Sequence, residues 1–78
     1  MGLVIVKMRL YCPDFWVDVR LTEFDGRWLA SADTREGPSL GRGHSPMSAT
    51  IDALEPFDGY IDELILTAPP ELFSVELP

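Results

Sequence analysis

The sequence predicts an α+β domain: an antiparallel sheet of three to four strands with one or two short helices packed on one face. Three observations predict it. Phe15 to Phe24 alternates apolar and polar residues with a period of two. An Asp25-Gly26 pair ends that run, and a second run rich in small residues follows. Ser45-Pro46 then opens a stretch with helical spacing. At 78 residues the chain is expected to be a single small domain spanning residues 1–78. A core of that size leaves little stability to spare, and association with further subunits is a common remedy.

Leu3 to Tyr11 reads as the first strand. Val4, Val6, Met8 and Leu10 share one face, and Lys7 and Arg9 share the other with Leu3, Ile5 and Tyr11. Cys12-Pro13-Asp14 stops it, because proline cannot donate to a ladder. In the second strand Phe15, Val17, Val19 and Leu21 alternate with Trp16, Asp18, Arg20 and Thr22, the pattern of an antiparallel strand with one wet side. A type I′ turn at Asp25-Gly26 sets the register of the hairpin. Phe24 then faces Arg27, Glu23 faces Trp28, Leu21 faces Ala30 and Val19 faces Ala32. Alanines opposite large aliphatic residues leave room for a helix across the sheet. Asp33 to Pro38 reads as a polar turn, and Ser39 to Gly43 as a short further strand weakened by its glycines.

Ser45 is the expected N-cap of the helix and Pro46 its first residue. Met47, Ile51 and Leu54 fall at i, i+4 and i+7 and form its expected apolar stripe, with Ala49, Thr50 and Ala53 beside it. Pro56 ends or kinks this helix. Phe57, Ile61, Leu64, Ile65 and Ala68 fit a second helical stripe with Asp58 near its start. Ile61, Ile65 and Thr67 also suit a strand over 60–67, and the helix is the favoured reading. Pro69-Pro70 ends that element, and Leu72 to Leu77 alternates weakly, as an added strand or a hook onto a neighbour would.

The net charge is −7, from thirteen acidic residues against six basic ones. Non-specific phosphate binding needs clustered Lys and Arg, so composition speaks against direct nucleic-acid binding by this domain alone. A small basic protein partner suits the charge better, with Asp14, Asp18, Glu23, Asp25 and Asp33 meeting it. Acidity also keeps a small protein soluble, which is the plainer reading. The single cysteine, Cys12, excludes an intramolecular disulfide. Leu3 to Val6 is short and is followed by Lys7 and Arg9, so it makes neither a signal-peptide core nor a membrane span. A cytoplasmic location is the expectation.

No catalytic constellation, cofactor or metal is expected. One His and one Cys lie far apart, without metal-ligand spacing. The glycine-containing segment Gly41–Ser45 carries an alternative reading, a small-ligand or anion loop, or a minimal enzyme, in which Arg42, Gly43, His44 and Ser45 meet a helix N-terminus. A solvated turn explains it more plainly, and it lacks the Lys-Ser/Thr ending of a P-loop. Asp18 and Asp33 fall side by side on the wet face, where a like charge raises a carboxyl pKa, although a solvated polar face is the plainer reading. Trp16 falls on the same polar face with Leu29, and an outward Trp suits either an interface anchor or a place under the N-terminal strand or the C-terminal tail. Trp16, Asp18, Arg20 and Leu29 are therefore the expected interface, and Leu3, Ile5 and Tyr11 extend it toward a homo-oligomer. A purely structural accessory role in a larger complex is a further reading.

The segment Trp16-Val17-Asp18-Val19-Arg20-Leu21-Thr22-Glu23-Phe24-Asp25-Gly26-Arg27-Trp28-Leu29-Ala30-Ser31-Ala32 resembles the opening hairpin of the HicB-like family. That family has a strand, an acidic-Gly turn, a second strand reading aromatic-x-Ala-x, and a Gly-Asp-Thr-like step into a helix rich in alanine. Gly43-His44-Ser45 stands at that step, with Ala49 and Ala53 at helix alanines, so the resemblance covers about residues 15–66. Met47, Ser48, Pro56, the wider spacing of Gly37 and Gly43, and the preceding strand depart from the pattern, as in a divergent or stand-alone member. The resemblance implies a partial ribonuclease-H-like fold without its catalytic carboxylates. It further implies an antitoxin-type module that covers a small basic ribonuclease partner.

Overall fold

The computed structural model describes residues 4–69. Four strands, β1 (Val4–Tyr11), β2 (Trp16–Phe24), β3 (Arg27–Thr34) and β4 (Gly37–Gly43), form one antiparallel sheet in the order β1-β2-β3-β4. Helix α1 (Pro46–Ala53), a 3₁₀ turn (Glu55–Phe57) and helix α2 (Ile61–Leu66) follow and lie on one face. The α+β class expected from the pattern is the one the chain adopts. Leu72 to Leu77, read as an added strand or a hook onto a neighbour, and Leu3 lie outside the described residues.

The first hairpin is built as its turn chemistry dictates. Asp25 and Gly26 both adopt positive φ, 54° and 71°, the type I′ requirement whose twist matches the flanking strands. The register follows: Phe24 pairs with Arg27, Glu23 with Trp28, Leu21 with Ala30 and Val19 with Ala32. Val17, Val19 and Leu21 are buried against Met8 and Leu10 of β1. Full burial of each such leucine contributes about 1.5–3 kcal/mol.

The second hairpin is tighter than the sequence suggests. Only Arg35 and Glu36 form the turn, whereas Asp33 and Thr34 pair with Pro38 and Gly37. The hydroxyl of Thr34 closes it, accepting the Glu36 N–H at 3.1 Å and donating to the Gly37 carbonyl at 2.6 Å. β4 is consequently a seven-residue strand rather than a weak one from Ser39. Pro38 is tolerated because β4 is an edge strand.

Its glycines are there for the helix. A Cβ on Gly41 would lie 2.5 Å from the Ala49 carbonyl oxygen and 2.8 Å from the Ala53 Cα. One on Gly43 would lie 2.9 Å from the Ala49 nitrogen. Helix backbone thus sits directly on strand backbone, and only small side chains fit between. This overturns the expected stripe of α1 at Met47 and Ile51 but not at Leu54. Met47 and Ile51 are 36% and 41% exposed, while Ala49, Thr50 and Ala53 form the buried face and Leu54 fills the core just beyond.

Polar contacts fix that seating. Ser45 caps α1 by accepting the Ser48 N–H at 3.1 Å, and the Ser48 hydroxyl accepts the Ser45 N–H at 3.2 Å, a capping box with serine in place of the usual Glu or Gln. The Ser39 hydroxyl donates to the Ala53 carbonyl at 2.8 Å, and the Arg42 N–H donates to Asp52 Oδ2 at 3.1 Å. Residues 61–66 are helical, not extended, with Leu64 and Ala68 buried and Ile61 and Ile65 partly so. Thr67 accepts the Tyr11 N–H at 2.8 Å and ties the end of α2 to β1. Phe15 stacks on Phe57 and meets Tyr60 edge-on, closing that end of the core.

Two stability outcomes follow. Gly41→Ala should destabilise by at least about 2 kcal/mol in a denaturant titration, because the obstructing atoms are backbone and cannot rotate away. Thr50→Val should raise stability by about 1 kcal/mol, because the buried Thr50 hydroxyl has no hydrogen-bond partner among the described residues.

Candidate functional site

Among the described residues nothing covers the face of the sheet opposite the helices, and strand alternation decides what stands on it. β1 contributes Ile5, Lys7, Arg9 and Tyr11; β2 contributes Trp16, Asp18, Arg20 and Thr22. β3 adds Arg27, Leu29, Ser31 and Asp33, and β4 adds Pro38, Leu40 and Arg42. All four expected interface residues, Trp16, Asp18, Arg20 and Leu29, therefore lie on one surface. Leu40, which the sequence reading missed, is its most exposed apolar residue at 73%. It was hidden by the reading of β4 as weak, since its alternation puts Leu40 opposite Ser31.

The central ion pair is cross-strand. Arg9 donates from Nε to Asp18 Oδ1 at 2.6 Å and from a terminal nitrogen to Oδ2 at 3.1 Å. The same guanidinium sits 4.9 Å from the centroid of the Trp16 ring, a cation–π contact that orients the indole. The Arg9 hydrogen bonds hold the Asp18 carboxyl below its ordinary range, against a smaller desolvation effect. The less favoured reading, a raised pKa from the Asp18–Asp33 pair, does not hold for Asp18, because its partner is a cation on β1.

One row further along, Lys7 and Arg20 stand directly opposite each other. Lys7, Arg9, Asp18, Arg20, Ser31 and Asp33 surround a shallow depression of about 370 Å³, formed where Ser31 is small among long side chains.

The acidic residues expected to meet a basic partner are split. Asp14 and Asp33 line a depression with Trp16, and Asp18 stands on the same face, whereas Asp25 is in the turn at the other end of the sheet and Glu23 is half-buried on the helix side. Charge is instead divided between the two layers. Lys7, Arg9, Arg20, Arg27 and Arg42, five of the six basic residues, belong to the open face with only Asp18 and Asp33 among them. The helix layer exposes Asp52, Glu55, Asp58, Asp62 and Glu63, and no Lys or Arg follows Arg42 in the chain.

The alternative loop is partly assembled. Arg42, Gly43 and His44 line a depression with Arg27, Trp28 and Leu29. Gly41 lies under α1, and the N–H and the hydroxyl of Ser45 are both engaged with Ser48. Burial pushes the Cys12 thiol up from its ordinary range, with Glu63 and Asp14 adding to the effect, which keeps it protonated at neutral pH. Among the described residues no group of three His, Cys, Asp or Glu side chains is placed to hold a metal, and no helix is long and apolar enough to cross a membrane.

No protein-family model, no curated protein and no solved structure matches the chain.

The ion pair has a pH signature. A group with a depressed folded pKa stabilises the fold above its unfolded pKa, and that contribution is lost as pH falls through the folded value. Carboxyl NMR should therefore titrate Asp18 below 3.8, its ordinary value, and Arg9→Met should return the midpoint toward it.

Proposed function

We propose that this chain is a non-enzymatic protein-interaction domain working through the open face of its sheet. The observation that carries the reading is the composition of that face. Trp16 is 58% exposed and stands beside Tyr11, with Ile5, Leu29 and Leu40 across the same surface. A sheet face that met only water would alternate to polar residues throughout. Trp, Tyr and Arg are also the side-chain types concentrated at interface hot spots, and all three occur here. The finer reading is a HicB-type antitoxin module whose counterpart is a small basic ribonuclease. It rests on the hairpin resemblance, and its basic counterpart would meet the acidic helix layer, which offers complementary charge, and not the cation-rich open face.

The depression at Arg42, Gly43 and His44 supports a second reading, an anion or small-ligand site, because Arg27 adds a second guanidinium to it. Titration with inorganic phosphate should shift the amide resonances of those residues under this reading, and silence there removes it.

The interaction reading is tested by Trp16→Ser. Self-association, or retention of a partner held on the open face, measured by light scattering on a sizing column and by pull-down, should weaken about tenfold or more. The thermal midpoint should stay within a few degrees of wild type, because the indole is outside the core. A variant that unfolds places Trp16 in the structural framework and removes the interface.

A further inference from the structure

We propose that the open sheet face docks onto the helix layer of a second copy of this chain, head to tail, so that α1 and α2 of one copy form a layer over the sheet of the next. The inference rests on the interaction reading above and names the partner. It begins with an unfavourable pair. Lys7 and Arg20 are directly opposed across β1 and β2, and among the described residues the only ion pair is Arg9–Asp18. Like charges directly opposite each other destabilise a sheet. A countercharge from outside relieves that repulsion, and a neighbouring copy carries one.

The helix layer has the complementary composition. Asp52, Glu55 and Asp58 surround a depression floored by Ile51 and Ile61, and Tyr60 and Leu66 are exposed on the same layer. Carboxylates around an apolar floor meet cations around Leu29 and Leu40. A symmetric sheet-on-sheet dimer would instead set cation against cation, which costs specificity and affinity. The described chain is a slab of 37 × 25 × 17 Å, so its broad face is large enough to supply the roughly 800 Å² that each partner of a stable complex contributes. Contact between unlike faces is heterologous, so it closes into a ring or continues as an open chain.

Two charge-reversed chains test this. One carries Lys7→Glu with Arg20→Glu, the other Glu55→Lys with Asp58→Lys, all at exposed positions. Wild type should show a light-scattering mass above one chain, rising with concentration and falling with salt. Each reversed chain alone should be a monomer with a cooperative melt, and an equimolar mixture should regain the higher mass, because each face then meets an opposite charge. Lys7→Glu alone keeps the test readable if a double variant fails to fold. It replaces a like-charge pair with an opposite one, so it should melt no lower than wild type and yet associate more weakly.

Association of the helix-layer variant as in wild type, or a mixture that stays monomeric, overturns the proposal. A monomeric wild type also overturns it, and the interaction reading then survives only if Trp16→Ser still releases a co-purified protein. Binding of a polyuridine oligonucleotide that Lys7→Glu with Arg20→Glu abolishes, without self-association, would assign the face to single-stranded nucleic acid instead and overturn the proposal equally.

Discussion

Which face of this sheet the helices cover follows from one contact, the backbone of α1 resting on the backbone of β4. Gly41 and Gly43 remove the side chains that would hold the helix away, and Ala49 and Ala53 answer them from the helix side. Ala30 and Ala32 continue the same low surface into β3. Contact this close forces the larger residues of the helix outward, which is why Met47 and Ile51 face solvent. The bulk of the core is displaced to the other half of the sheet. There Leu54 and Leu64 pack with Met8, Leu10, Val17, Val19 and Leu21. Short helices then suffice, because most of their stability comes from packing and not from propensity.

The sheet was legible for local reasons. A type I′ turn at Asp25-Gly26 fixes register without help from the rest of the chain, and period-two alternation assigns each face. The N-cap at Ser45 was equally local. What escaped was set by tertiary contact. Glycines that looked like weakness in β4 are clearance for the helix, so strand length and the buried face of α1 were both misjudged. Asp33 and Thr34 looked like turn residues by type, yet the Thr34 hydroxyl lets two residues close the hairpin.

The interface residues were legible in the same way, through alternation on β2 and β3. Their electrostatic setting was not. A total of −7 describes neither layer, since the cations are grouped on the open face and the carboxylates on the helices. Arg9 illustrates the consequence: by binding Asp18 and covering Trp16 it joins an acid, a base and an aromatic ring into one oriented group. A surface of this kind suits selective docking, because its charges set orientation and its apolar residues supply contact. Under the two proposals the acidic helix layer would meet either a basic partner or the next copy, and occupancy by one would exclude the other.

The central claim is that both broad faces are contact surfaces with opposite charge. Following backbone amide chemical shifts while the labelled protein is diluted tests it most directly. The account predicts concentration-dependent shifts in two separate groups, around Lys7, Arg20 and Leu29 on the sheet and around Ile51, Glu55 and Asp58 on the helices. Shifts confined to a single face, or to the outer edge of β1, would contradict it.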